Sequence, residues 1–189
     1  MSIYYRKKVT AMATIFTAGT PQTITDMLAD RDQRVAYQQQ LMTTHPQATI
    51  AAIKLNIPGP IKNNDALRRL FLAGVQRFEA ELSTYTVAAD WNHPAGNERF
   101  LILTTDFATS KRMAVAFEEQ DPLGRLYDID ILQAGSQRAL SRTDLGLPKR
   151  RCLLCRREAK DCARSRRHSV AELQQKIMTM YVTEFGDRA

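Results

Sequence analysis

Cysteine is scarce in this 189-residue chain: there are three, and all fall between Cys152 and Cys162. An odd number crowded into one arginine-rich stretch excludes the spread, paired framework of a secreted disulfide protein and fits a reducing cytoplasm. Long apolar runs are missing as well, since no window approaches the roughly 20 apolar residues of a membrane-spanning helix. Aromatic residues make up 7% of the chain, short of the stacking platform that single-strand nucleic-acid binders use. Acids are outnumbered by bases, 20 to 27, and the formal charge of +7 favours an anionic partner: nucleic acid, a phosphorylated cofactor or an acidic protein.

With 44% hydrophobic residues the chain can bury one substantial core but cannot form two full catalytic domains. The expected organisation is a variable tail over 1–22 and a single domain over 23–189 that carries a basic, cysteine-containing segment at 148–168. In the tail, Arg6-Lys7-Lys8 precedes a mildly apolar run over 9–18, a weak copy of a secretory leader that three threonines interrupt. Met12 is a second candidate initiator.

Hydrophobic spacing places the elements. A helix capped by Thr25 runs to about Thr44, with Leu28, Val35 and Met42 on its buried face and its glutamines in solvent. Residues 48–56 read as a strand that ends in a Pro58-Gly59-Pro60 turn. Asn64 caps an amphipathic helix in which Leu67, Leu70, Phe71, Gly74, Val75, Phe78 and Leu82 follow the i, i+3, i+4, i+7 spacing. Strands at 85–91 and 99–105, a helix over 108–120 and a strand over 125–132 follow. A capping box at Ser169 to Glu172 opens a last helix with Leu173, Ile177 and Met180 on one face. Strand, helix, strand, strand, helix, strand is the order of an α+β sandwich: a four-stranded sheet of the split βαβ (ferredoxin-like, palm-like) type, with helices added at both ends. Both internal helices then cover one sheet face and leave the other free for a site.

Four groups of residues carry chemistry. Asp128 and Asp130 share one face of a strand whose Ile129 and Ile131 point the other way, about 6–7 Å apart. Aspartate is disfavoured inside strands, so the pair calls for a compensating arginine or cation, and Mg²⁺ with phosphate oxygens suits it; two solvated carboxylates on an edge are the plain alternative. The Pro58-Gly59-Pro60-Ile61-Lys62 loop offers amides and a lysine ahead of a helix N-terminus, a setting for phosphate or merely a surface turn. Cys152, Cys155, Cys162 and His168 have the ligand types of a Cys3His zinc site, with the two-residue gap that chelates; three reduced thiols and a nearby histidine are the alternative. Arg150, Arg151, Arg156, Arg157, Arg164, Arg166 and Arg167 form a guanidinium-rich end suited to phosphates, or a solvated face.

Several of these segments occur together in one order: Asp-Pro-Leu-Gly-Arg-Leu-Tyr-Asp-Ile-Asp-Ile-Leu from Asp121 to Leu132, Leu-Ser-Arg-Thr-Asp from Leu140, Leu-Pro-Lys-Arg-Arg-Cys-Leu-Leu-Cys from Leu147, Cys162 to His168, and the Pro58 to Lys62 loop. In these the chain resembles the apo-citrate lyase phosphoribosyl-dephospho-CoA transferases, also called citrate lyase holo-[acyl-carrier-protein] synthases, over about residues 23–181. Arg156-Arg157 depart from a less basic pair, and residues 1–22 match nothing. The resemblance implies transfer of phosphoribosyl-dephospho-CoA from triphosphoribosyl-dephospho-CoA to a serine of the apo citrate lyase acyl carrier subunit, with release of pyrophosphate. On that expectation Mg²⁺ on Asp128 and Asp130 holds the triphosphate, and Gly59, Lys62, Arg125, Arg142 and Arg164 contact phosphates. Asp106, at the end of the neighbouring strand, is the candidate base. Two other readings remain open at this point: a zinc-containing basic nucleic-acid-binding protein, and a nucleotidyltransferase with another acceptor.

Overall fold

The computed structural model describes residues 14–136 and 138–186; the Arg6 to Lys8 run and Met12 lie outside them. The first helix, α1 (Ile24–Thr44), is followed by β1 (Thr49–Leu55), α2 (Asp65–Ala80), β2 (Tyr85–His93), β3 (Gly96–Leu103), α3 (Phe107–Gln120), β4 (Tyr127–Gln133), a short α4 (Ala159–Arg164) and α5 (Val170–Phe185). As its period requires, α2 buries Leu67, Leu70, Phe71, Val75 and Phe78 completely; each such side chain contributes on the order of 1.5–3 kcal/mol. Asn64 caps this helix by accepting from the Leu67 N–H at 2.9 Å. Its amide donates to the carbonyls of Ile15 and Ala18, which draws Ile15 and Phe16 into the same core.

All strand pairs are antiparallel, in the order β2-β3-β1-β4. The helix α2 therefore joins two strands with β3 between them, and α3 joins two with β1 between them. Both pack, with α5, on the face made by Ala51, Ile53, Leu101, Leu103, Ile129 and Ile131. In the central register Lys54 stands between Glu98 on one side and Asp128 on the other.

The opposite sheet face is not free. Helix α1 lies on it, packing Leu41 and Tyr37 against Ile50, Ala52, Phe100 and Leu132. The periodicity misplaced this helix's buried face: Leu28 and Val35 are 49% and 39% exposed, while Asp30, Gln38 and Leu41 are buried. Polar contacts decide it, because Arg34 bonds Glu98 on β3 and Asp30 accepts from His93 at 3.2 Å, contacts that apolar spacing does not register. The cap is Thr23, not Thr25, with a full Thr23/Asp26 capping box.

The strand bearing the aspartates is an edge strand, and α3 closes its outer side. The Lys111 ammonium donates to the Ile129 carbonyl at 3.0 Å, and the Ile129 N–H donates to Glu118 at 3.1 Å. Side chains thus satisfy the backbone groups that would otherwise template aggregation.

Candidate active site and metal centre

Tyr127 fixes the start of β4. Its buried hydroxyl donates to the Leu70 carbonyl at 2.6 Å and accepts from the Gly74 N–H at 3.0 Å. Only a glycine on α2 admits this approach, since a Cβ at Gly74 would lie 2.2 Å from the tyrosine oxygen. With the strand so pinned, alternation turns Ile129 and Ile131 into the core and Asp128 and Asp130 to the α1 face.

The cation facing the two aspartates is an ammonium. Lys54 Nζ lies 2.9 Å from Asp128 and 3.9 Å from Asp130, and Arg150 approaches Asp128 to 3.7 Å. A divalent ion seated between the carboxylates would have to displace Lys54, so this arrangement does not fit the Mg²⁺ expected from the sequence. The two carboxyls are driven apart. Burial alone would raise Asp128, but the charge and hydrogen bond of Lys54, with Arg150, outweigh it and leave the group below the ordinary aspartate value. Burial and then the Asp128 charge push Asp130 above that value. The environment thus favours the anion at Asp128 and the acid form at Asp130.

A cavity of about 270 Å³ opens beside this pair, lined by Asp30, Arg34, Lys54, Lys62, Glu98 and Asp128 among others. The Lys62 ammonium donates to the Ile57 carbonyl at 2.6 Å, and burial holds its pKa below the usual lysine value. Sequence reasoning missed Lys54, Glu98 and Arg34. Their signal was present: Lys54 and Glu98 interrupt the apolar face formed by Ile50, Ala52 and Phe100. One oxygen of buried Glu98 has no hydrogen-bond partner.

The remaining expected residues scatter. Arg125 is half-buried on a second, larger cavity, donates to the Arg151 carbonyl, and has its pKa lowered by burial and the facing Arg150 charge. Gly59 takes φ +88° beside Gln174 and Val170 and reaches a shallow groove with Lys62. Arg142 is buried in ion pairs with Glu118 and Glu119, so it braces the loop after β4 against α3 and is withdrawn from any phosphate. Arg164 is exposed and lines none of these cavities. Asp106 is corrected outright: it caps α3 by accepting from Thr109 at 3.0 Å, and that bond holds its carboxyl below the usual range. It lies past Leu103, which is itself five strand residues, roughly 16 Å, beyond Glu98.

The cysteine cluster does assemble. The Cys152 N–H donates to the Arg157 carbonyl at 2.8 Å and Arg151 bridges to Glu158, folding 151–158 into a tight hairpin that presents Cys152 and Cys155. Cys162 comes from α4, and His168 precedes the α5 cap. The four ligand atoms lie within 4.8 Å of one another. Cys155 Sγ is 3.5 Å from Cys162 Sγ and 3.4 Å from His168 Nε2, too long for a disulfide and suited to ligands around one tetrahedral ion. The His168 hydrogen bond draws the Cys155 thiol down to about 6, whereas burial pushes Cys162 up to about 11. These four residues could hold a metal ion.

Among the described residues no helix is long and apolar enough to cross a membrane. Residues 22–184 match the family described as apo-citrate lyase phosphoribosyl-dephospho-CoA transferase. A probable apo-citrate lyase phosphoribosyl-dephospho-CoA transferase of Streptococcus pyogenes is 33% identical over 173 residues, covering 89% of this chain and 90% of the relative. The Citrobacter koseri enzyme of that name is 35% identical over 158 residues, 79% of this chain and 83% of its own. A protein called CitXG from Leuconostoc mesenteroides is 33% identical over 168 residues; the match takes in 87% of this chain but only 36% of that longer relative. With most of its length matched, and the aspartate strand and cysteine cluster inside the match, the chain belongs to the apo-citrate lyase phosphoribosyl-dephospho-CoA transferase family.

Proposed function

We propose that this protein transfers phosphoribosyl-dephospho-CoA from triphosphoribosyl-dephospho-CoA to a serine of the apo citrate lyase acyl carrier subunit, as a nucleotidyltransferase-type enzyme. The carrier serine oxygen attacks the phosphorus next to the ribose, the bond from that phosphorus to the pyrophosphate oxygen breaks, and the serine proton passes to a base. A phosphodiester and pyrophosphate result. The observation that carries the reading is the Lys54, Asp128 and Asp130 cluster on one sheet face of a chain in this family. Asp130, with its raised pKa, is the base. Asp128 stays ionised and holds Lys54, which with Lys62 and Arg150 neutralises the triphosphate as charge moves to the leaving group.

We assign zinc to the Cys3His centre on its donor set, in a structural role: these four residues would fill every position of a tetrahedral ion. No step of the transfer passes through it. The architecture supports a palm-like sheet, with the reacting groups under the N-terminal half of α1. A nucleic acid laid on this sheet face would meet Glu98, Asp128 and Asp130 and the covering helix, which weighs against the basic nucleic-acid-binding alternative. Incubation with apo carrier and triphosphoribosyl-dephospho-CoA should add the mass of the prosthetic group to the carrier and release one pyrophosphate per event. An unmodified carrier, with protein that is folded and metal-replete, would overturn the proposal.

A further inference from the structure

The larger cavity, about 460 Å³, lies between the cysteine hairpin and the start of α5. Its volume is in the range of small-molecule sites. Leu126, Leu153, Leu173, Val170 and Pro58 give it an apolar floor, Arg125, Arg150, Arg151 and Arg166 surround it, and no acidic residue lines it. Arg150 is already answered by Glu118 and Asp128, but Arg125, Arg151 and Arg166 form no ion pair among the described residues and leave the space electropositive, a setting for an anion. Arg166 is held at φ +46°, a left-handed backbone that no other non-glycine among the described residues adopts. Strain of this kind gathers at ligand clamps. The cavity also adjoins the reacting centre: Asn56 lines both spaces, and Arg150 reaches to 3.7 Å from Asp128.

We infer that this cavity binds the adenosine–pyrophosphate end of the donor, adenine on the apolar floor and the two phosphates on the arginines. The placement rests on the proposed donor class and adds where its nucleotide sits. Arginine forks suit phosphate oxygens, and a leucine-lined space with little polar surface suits a flat base better than a polyol. Arg150 then stands at the junction, with the nucleotide on one side and the reacting phosphate on the other.

The test is calorimetry on the full chain with dephospho-CoA, which carries the nucleotide end but has no triphosphate to transfer. ADP should compete with it, and pantetheine, without phosphate, should not. Arg151→Gln and Arg166→Asn should each weaken dephospho-CoA binding roughly ten-fold or more, the loss of one charge-assisted contact. Asparagine tolerates the left-handed backbone, so Arg166→Asn reads the guanidinium rather than the fold. Leu173→Trp should fill the floor and abolish binding while the circular dichroism spectrum is kept. Unchanged affinity in all three variants, pantetheine competing as well as ADP, or no dephospho-CoA binding by wild type would each overturn the assignment. The carrier mass assay separates the two proposals: transfer with an unchanged donor KM in Leu173→Trp refutes the cavity and spares the reaction, whereas variant-sensitive dephospho-CoA binding without transfer refutes the reaction and spares the cavity.

Discussion

Replacing Asp130 by asparagine separates catalysis from stability. The side chain is isosteric, its nearest charged partner among the described residues is Lys54 at 3.9 Å, and its carboxyl sits above the ordinary aspartate value because burial and Asp128 disfavour the charge. A raised folded-state pKa means the native protein binds this proton more tightly than the unfolded chain. At neutral pH the ionised group therefore works against folding, and that penalty is relieved as pH falls through the folded value. Asparagine cannot ionise, so Asp130→Asn should melt at the same temperature as wild type or slightly higher at pH 7. Its turnover should fall by a factor of about 10² to 10⁴, the usual contribution of a positioned base.

Asp128→Asn makes the contrast. Its carboxyl is held below the ordinary value once Lys54 and Arg150 outweigh burial, so it contributes stability above the unfolded pKa that is lost as pH falls through the lower folded one. The group is 40% exposed, and solvent screening limits the stabilisation to about 0.5–1 kcal/mol. Thermal melts and single-turnover carrier modification, run on both variants across pH 4–8, read both quantities. Wild-type turnover should drop on the acid side at a pH above that of an unperturbed aspartate, near 4. Full activity in Asp130→Asn, or a larger stability loss there than in Asp128→Asn, would refute the division of roles.

Other perturbations have equally definite outcomes. Lys54→Met should lower kcat by about 10² or more, the scale of one lost charge-stabilising donor, and a rise in KM alone would contradict its role at the leaving group. Metal analysis should find one zinc per chain; Cys155→Ser or a strong chelator should remove it and lower the melting temperature, and a metal-free protein of unchanged stability would reject the centre. Tyr127→Phe leaves the Gly74 N–H without its buried partner and should destabilise by about 1–3 kcal/mol, measured by urea unfolding; a neutral result would place little weight on that anchor. Arg142→Met leaves buried Glu118 with Arg150 as its one ion-pair partner among the described residues, at 3.7 Å, and should cost about 1–3 kcal/mol, whereas a phosphate-binding role for Arg142 would instead raise the donor KM with stability intact.

What could be read from the sequence depended on which force dominates each element. Helix α2 is held by apolar burial, and its spacing located cap and core together. In α1 the buried face is chosen by Arg34 and Asp30 meeting Glu98 and His93, partners 64 and 63 residues away, so the exposed Leu28 and Val35 misled the period. Strand alternation put Asp128 and Asp130 on one face correctly, but register set Lys54 opposite Asp128, and register is a property of the sheet. Arg142 and Asp106 failed for a related reason: a charged residue near a motif is as readily a brace or a cap as a ligand, and only its partners distinguish these.

Arg150 ties the cysteine segment to the aspartate strand. Two residues before Cys152, it donates to the Arg125 carbonyl at 2.6 Å and lies 3.7 Å from both Glu118 and Asp128. Glu118 in turn holds the Ile129 N–H, which sits between the two aspartates in the chain. The position of the two aspartates is thus set from α3 by Glu118 and from the hairpin by Arg150, with the Glu118 charge shared between Arg142 and Arg150. Leu153 packs the hairpin on the main core, and a metal held by Cys152, Cys155, Cys162 and His168 would add the rigidity that charge alignment at Asp128 needs. In the proposed reaction a metal held there would take no part in bond making, yet it would fix where one of the cations around the leaving group stands.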